Sequence, residues 1–286
     1  MPSFEFPTHI HLHPHATVAD YEGVNQLAQS PDEPFLIFLP EAPDSSVISE
    51  LQLISDGNKA LHRKYQQRDK KNRQYGVSTD MNFARGRALS EALFNTGLVV
   101  VSVHPAWDEK SAASNSVALG KDHRLKPTFQ EAIGALKDEL PPVARVIAKR
   151  DSFTANNFLR ILNSSTRSNP DFAGLSTIPC LMEIGSLHFQ LADKLASKGV
   201  EVTMSGDDTI DKLPGAYERG IAHLLMGGQT SDLDLERIAF EDALSNDIWT
   251  TSTAEKQKLV DRIILSKDRK DWAKSYEMVA GVVNSR

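Results

Sequence analysis

The chain has 286 residues, 40% of them hydrophobic and 24% charged, with a formal net charge of −6. That balance suits a globular protein with a sizeable core and lacks the basic excess by which nucleic-acid binding usually declares itself. The one cysteine, Cys180, excludes an intrachain disulfide; it reads as a small buried hydrophobe and fits a reducing compartment.

The N-terminus shows no basic segment followed by an apolar core, as a secretory signal would. No apolar run has the length of a membrane span. The expectation is a cytoplasmic protein with no membrane and no nucleic-acid partner. Four of the nine histidines fall at positions 9, 11, 13 and 15. Alternate residues of a strand share a face, so His9, His11 and His13 can project together. Imidazole titrates near neutrality and is the commonest metal ligand. Pro14 lacks the N–H needed to continue a ladder, so the cluster falls at a strand's end, where α/β sheets gather ligands. A surface histidine patch is the plainer alternative; His11 is the best single candidate.

Helical spacing of apolar residues follows over 18–29, then a buried-strand run over 35–39. Glu41 leaves that run at its carboxyl end, where a carboxylate could bind metal, act as base or hold a histidine tautomer. Residues 58–73 are strongly basic: Lys59, Arg63, Lys64, Arg68, Lys70, Lys71 and Arg73 face only Asp69. They read as a solvated helix or as a surface for an anionic ligand. A helix over 84–93 precedes a strand over 98–103, which ends at His104. Residues 111–126 read as loop.

Helical patterns return over 128–136 and 154–162. Arg150-Asp151 opens a helix expected over 151–162, with Asp151 as its N-cap and Arg150 free to reach inward as a fixed cation. The apolar run 178–184 leads into Gly185-Ser186-Leu187-His188 and a helix over 189–197. Gly185 suits a tight turn, and the amides at the helix start suit an anion or oxyanion. Lys198-Gly199 closes that helix before a strand over 200–204. Beyond residue 207 the pattern changes to charged helices over 233–245 and 253–282. Neither a dinucleotide or phosphate loop, a serine elbow nor a zinc-protease helix is present.

Strands alternating with helices predict an α/β fold: a central mixed β-sheet flanked by helices, with a helical C-terminal extension. Residues 1–206 form the expected α/β domain carrying the site; 207–286 form a mainly helical layer or subdomain.

This order of motifs resembles the TraB/GumN–TIKI superfamily, which takes in erythromycin-esterase-like and ChaN-like proteins. The matching stretches are Thr8-His9-Ile10-His11, the run 35–41 ending at Glu41, Arg150-Asp151 with Ala155, and Gly185–His188 running on to Lys198-Gly199-Val200. Thr8 stands where the family usually has glycine, and the second half is the closer match. The resemblance covers roughly residues 4–204. It implies a polar site built from His11, Glu41, Arg150 and His188, and a hydrolase acting on an ester or peptide-like substrate.

Two mechanisms follow. A divalent metal (Mn²⁺ or Zn²⁺) held by ligands drawn from His9, His11, His13, Glu41 and His188 would lower the pKa of a water. Without metal, a histidine would deprotonate water directly. His104, Gly185 and Ser186 are the candidate substrate contacts. A second resemblance is to PHP-type phosphoesterases, whose opening motif is similar to residues 12–20; their later ligands, a strand-end Asp-His and a late D-x-H, are missing. A third reading is non-catalytic: a pocket for a small ligand or metal, with the charged tail serving a homo-oligomer or a partner.

Overall fold

The computed structural model describes residues 4–13, 22–30, 34–41, 45–74, 81–104, 126–167, 169–206, 216–243 and 268–284. Within them, strands β1 (Thr8–His13), β2 (Ile37–Pro40), β3 (Val99–Val100), β4 (Cys180–Gly185) and β5 (Val202–Gly206) make one sheet, ordered β3-β2-β4-β1-β5. The fold is α/β, as expected, but every pairing is parallel and not mixed. The cause lies in the connections. Helix α1 (Glu22–Ala28) stands between β1 and β2; α2 (Ser45–Ser55), α3 (Lys59–Gln74) and α4 (Met81–Leu93) stand between β2 and β3. The long helix α5 (Phe129–Thr166) precedes β4, and α6 (Leu191–Ala196) precedes β5. Each is a crossover that returns the chain in the same direction.

A sheet covered by helices on both faces needs strands that are apolar throughout. The central strand β4 is buried at all six of its residues and apolar but for Glu183. Ile10, Leu12, Leu39, Met182 and Ile184 share one cluster with Phe158 and Leu162 of α5 and Leu191 and Leu195 of α6. Phe38, Val100 and Leu181 meet Val24, Leu51, Ile54 and Leu93 in another. Each such fully buried side chain stabilises the fold by about 1.5–3 kcal/mol relative to leaving it in water. Gly206 ends β5 with φ +91°, and a Cβ there would stand 1.9 Å from the Leu12 carbonyl oxygen. Only glycine lets β1 and β5 approach at that point.

Helix α5 departs from the expected pattern. Two separate helices were expected, the second beginning at Asp151; instead one helix runs through Pro141 and Pro142. Proline's fixed φ is itself helical, and what it removes is an amide donor from the ladder. Thr128 and Glu131 form a capping box at the start: the Glu131 amide donates to Thr128 Oγ1 at 3.3 Å, and Glu131 Oε2 accepts from the Thr128 amide at 3.1 Å. Asp151 is therefore an interior helical residue and caps nothing.

The chain groups into two compact units, Met1–Asp108 with Ala148–Thr209, and Glu109–Ile147 with Ile210–Arg286. Residues 109–147 thus join the C-terminal part, so the grouping is discontinuous where a single division after residue 206 was expected. In the second unit, α7 (Ala216–Leu225), α8 (Asp232–Ala243) and α9 (Trp272–Asn284) pack with the first part of α5. Phe129 and Tyr276 set their ring centroids 5.6 Å apart, Phe240 stacks on Trp272 at 5.4 Å, and Tyr217 donates to Glu139 Oε1. Of the helix expected over 253–282, residues 253–267 lie outside the described residues. Among the described residues, no helix is long and apolar enough to cross a membrane.

Candidate active site

At the carboxyl edge of the sheet, beyond β2 and β4, four side chains converge. Glu41 follows β2, Arg150 and Asp151 lie on successive positions of α5, and His188 ends the 3₁₀ turn Ser186–His188 that follows β4. Arg150 Nη1 meets Glu41 Oε1 at 2.7 Å, while His188 Nε2 stands 3.4 Å from the same oxygen and 3.5 Å from Arg150 Nη1. On its other side, His188 Nδ1 meets Asp151 Oδ1 at 2.5 Å. Glu41, Asp151 and His188 are all buried. All belong to the first compact unit.

Backbone hydrogen bonds fix Glu41 in place. Its own amide donates to Glu183 Oε2 at 3.1 Å, and the Gly185 amide donates to Glu41 Oε2 at 2.8 Å. The pairing register explains this exchange. Pro40 lies opposite Glu183 and brings no N–H to the ladder, so two carboxylates extend the pairing of β2 and β4 beyond it.

Electrostatics set the protonation of both site histidines. Burial opposes charge on His188. The hydrogen bond and charge of Asp151, followed by those of Glu41, outweigh it, so His188 titrates above the ordinary histidine value. His104, beyond β3, goes the other way. Burial, then the nearby Arg150 cation, and to a lesser degree His188, push it down to about 3 against the opposing pull of Glu41 and Glu183. It is neutral at any physiological pH. Its Nδ1 contacts Thr154 Oγ1 at 3.5 Å, one turn along α5 from Arg150.

The expected site residues divide as follows. Glu41, Arg150 and His188 come together, with His104 close enough to feel their charges. Gly185 contributes through its amide, and Ser186 is buried beside it. Two structural expectations at this segment fail. Gly185 has an ordinary extended conformation, φ −64° and ψ 148°, so no left-handed turn requires glycine. Helix α6 has six residues, too short for an anion-binding N-terminus, and the Gly185 amide is already engaged by Glu41.

His9 and His11 do share a face of β1, as strand alternation requires. Both meet the Ser205 hydroxyl, His9 through Nε2 at 2.7 Å and His11 through Nδ1 at 2.9 Å; His9 Nδ1 also meets Thr203 Oγ1 at 2.9 Å. Position 11 pairs with Glu183 in register, and its ring lies where a Cβ at Gly23 would come within 2.4 Å. The side chain of His13, the whole of His15 and the phosphoesterase-like stretch 14–20 lie outside the described residues.

The donors around Glu41 do not fit a metal centre. Arg150 occupies Oε1 and the Gly185 amide occupies Oε2, while His188 Nδ1 is committed to Asp151. A cation on Glu41 would have to displace a guanidinium at hydrogen-bonding distance. Among the described residues, no group of three or more His, Cys, Asp or Glu converges in a metal-binding arrangement.

Two contributors escaped the sequence reading. Asp151 reads from the sequence as a cap, and Glu183, fully buried, sits inside the apolar run of β4. Its only signal was a carboxylate at an interior position of a buried parallel strand, where an ionisable group needs a partner. Cys180 is buried, and burial pushes its thiol up, away from thiolate chemistry. Comparison with family models, with curated proteins and with solved structures finds no match to this chain.

Proposed function

We propose that this protein is a hydrolase of the TraB/GumN–TIKI and erythromycin-esterase type, acting on an ester or peptide-like substrate by a metal-independent mechanism. The observation that carries the reading is His188 held between two carboxylates beside a guanidinium. Asp151 accepts the Nδ1 proton of neutral His188, which leaves the Nε2 lone pair as the base.

Nε2 takes a proton from water as the water oxygen bonds to the acyl carbon. The bond to the leaving oxygen or nitrogen then breaks, and the proton passes from His188 to that leaving atom, giving an acid and an alcohol or amine. Arg150 supplies fixed positive charge where the carbonyl oxygen becomes negative, and Glu41 holds Arg150 in place. No proton step is assigned to His9 or His11.

The test is turnover of a panel of p-nitrophenyl esters and short peptides by the purified protein, beside its His188→Gln and Glu41→Gln variants. General-base catalysis contributes roughly 10²–10⁴-fold, so His188→Gln should lose at least 100-fold while its circular dichroism stays that of the parent. Turnover that survives in the variant overturns the assignment of His188. Activity appearing only after Mn²⁺ or Zn²⁺ is added would replace the mechanism with a metal-assisted one. Tight binding of a panel compound without turnover would make the protein a binding module.

A further inference from the structure

The site carries more polar surface than the proposed proton transfers use. His104 Nε2 and Ser186 Oγ have no hydrogen-bond partner among the described residues, although both atoms are sealed from solvent. The residues are 6% and 4% exposed. Most buried polar atoms in folded proteins are satisfied, and each exception calls for a reason. Both lie at the carboxyl edge of the sheet, His104 beyond β3 and Ser186 next to the Gly185 amide that holds Glu41, and Asp151 Oδ2 in the same cluster is likewise buried without a partner among the described residues.

Their chemistry is specific. Neither group is charged: the hydroxyl never is, and burial keeps the imidazole neutral. With Nδ1 turned to Thr154, His104 offers the site one nitrogen, a donor in one tautomer and an acceptor in the other. Meanwhile the two basic groups of the edge already face carboxylates, Arg150 on Glu41 and His188 on Asp151. A phosphate or carboxylate entering here would be desolvated against Glu41, Asp151 and Glu183, with the Arg150 guanidinium already paired to Glu41.

We propose that His104 and Ser186 are substrate contacts that orient an uncharged group, such as an ester or amide carbonyl, and make the site reject anionic substrates. The inference rests on the hydrolase reading for what happens to the bound group, but not for the binding itself.

Two measurements separate them. The first compares p-nitrophenyl acetate with p-nitrophenyl phosphate and the p-nitrophenyl monoester of succinate, in the parent and in His104→Leu and His104→Gln. Loss of a positioned hydrogen-bonding group should cut kcat/KM for the acetate roughly 100-fold in His104→Leu. His104→Gln, which keeps a neutral hydrogen-bonding group, should retain most of it. His104→Leu removes the unsatisfied Nε2 but also the contact to buried Thr154, so its melting temperature should stay close to the parent's. Equal activity in His104→Leu, or a preference for either anionic substrate, overturns the proposal, as does a large destabilisation shared by both variants.

The second measurement reads binding alone, by ¹⁵N-histidine NMR with N-methylacetamide, acetate or phosphate as probe. The His104 Nε2 resonance should move with the amide and stay still with the two anions. That result without turnover on any substrate would sink the hydrolase reading and leave the contact standing. An unmoved resonance would overturn the contact itself.

Discussion

His188 has a carboxylate on each side, and the two have different work. Asp151 meets Nδ1 at 2.5 Å and fixes the tautomer; Glu41 Oε1 lies 3.4 Å from Nε2 and shares its charge with Arg150. Replacing Asp151 with Asn removes the strongest of the influences that raise the His188 pKa, while burial, which lowers it, stays. The pKa must fall, so the basic form of His188 is present at lower pH. The acid limb of a pH–rate profile should therefore move to lower pH in Asp151→Asn, with kcat reduced roughly 100-fold by loss of orientation. An unmoved limb in the variant would detach Asp151 from the reaction. Much of this cluster was legible: Glu41 and His188 follow apolar runs, where a strand hands a polar group to the edge of a sheet. Asp151 was not, because an Asp before a helical pattern is what an N-cap looks like. In the structure residue 151 is interior to α5, so its side chain is free to meet His188.

At the level of elements, the site depends on how β2 and β4 end. Their ladder would stop at Pro40; the exchange between Glu41 and Glu183 continues it and points the Glu41 carboxylate at Arg150. Glu183→Leu keeps the apolar character of β4 but strands the buried Glu41 amide, a loss of about 1–3 kcal/mol. Urea denaturation should show that loss in Glu183→Leu and a smaller one in Glu183→Gln, whose amide oxygen can still accept. Equal stability in Glu183→Leu and the parent would mean that the exchange does not hold the strand ends. The strands were readable because buried parallel strands are short apolar runs between turn residues. Their direction was not, since hydrophobic patterning carries no sign of parallel or antiparallel pairing. Register was equally hidden, and with it the pairing of Glu183 with both Pro40 and His11.

Across the whole molecule, the two site histidines pull the pH dependence of stability in opposite directions. His188 titrates above its unfolded value. Its contribution is fully present below about pH 6.5 and is lost as pH rises through the folded pKa. His104, pushed down to about 3, costs nothing above the unfolded value. As pH falls below about 6.5, the unfolded chain takes up a proton that folded His104 refuses, and stability declines until the folded pKa is reached. Together they favour folding most near the ordinary histidine pKa and tax it on either side. Carboxylates add their own acid limb, so the separation lies in difference curves. Unfolding free energies measured from pH 4 to 9 should show the parent losing more stability than His104→Gln on the acid side. On the alkaline side, the parent should lose more than His188→Gln. An acid limb identical in parent and His104→Gln would mean that position 104 takes up its proton in the folded state, and the neutral contact proposed for it would fall with that result.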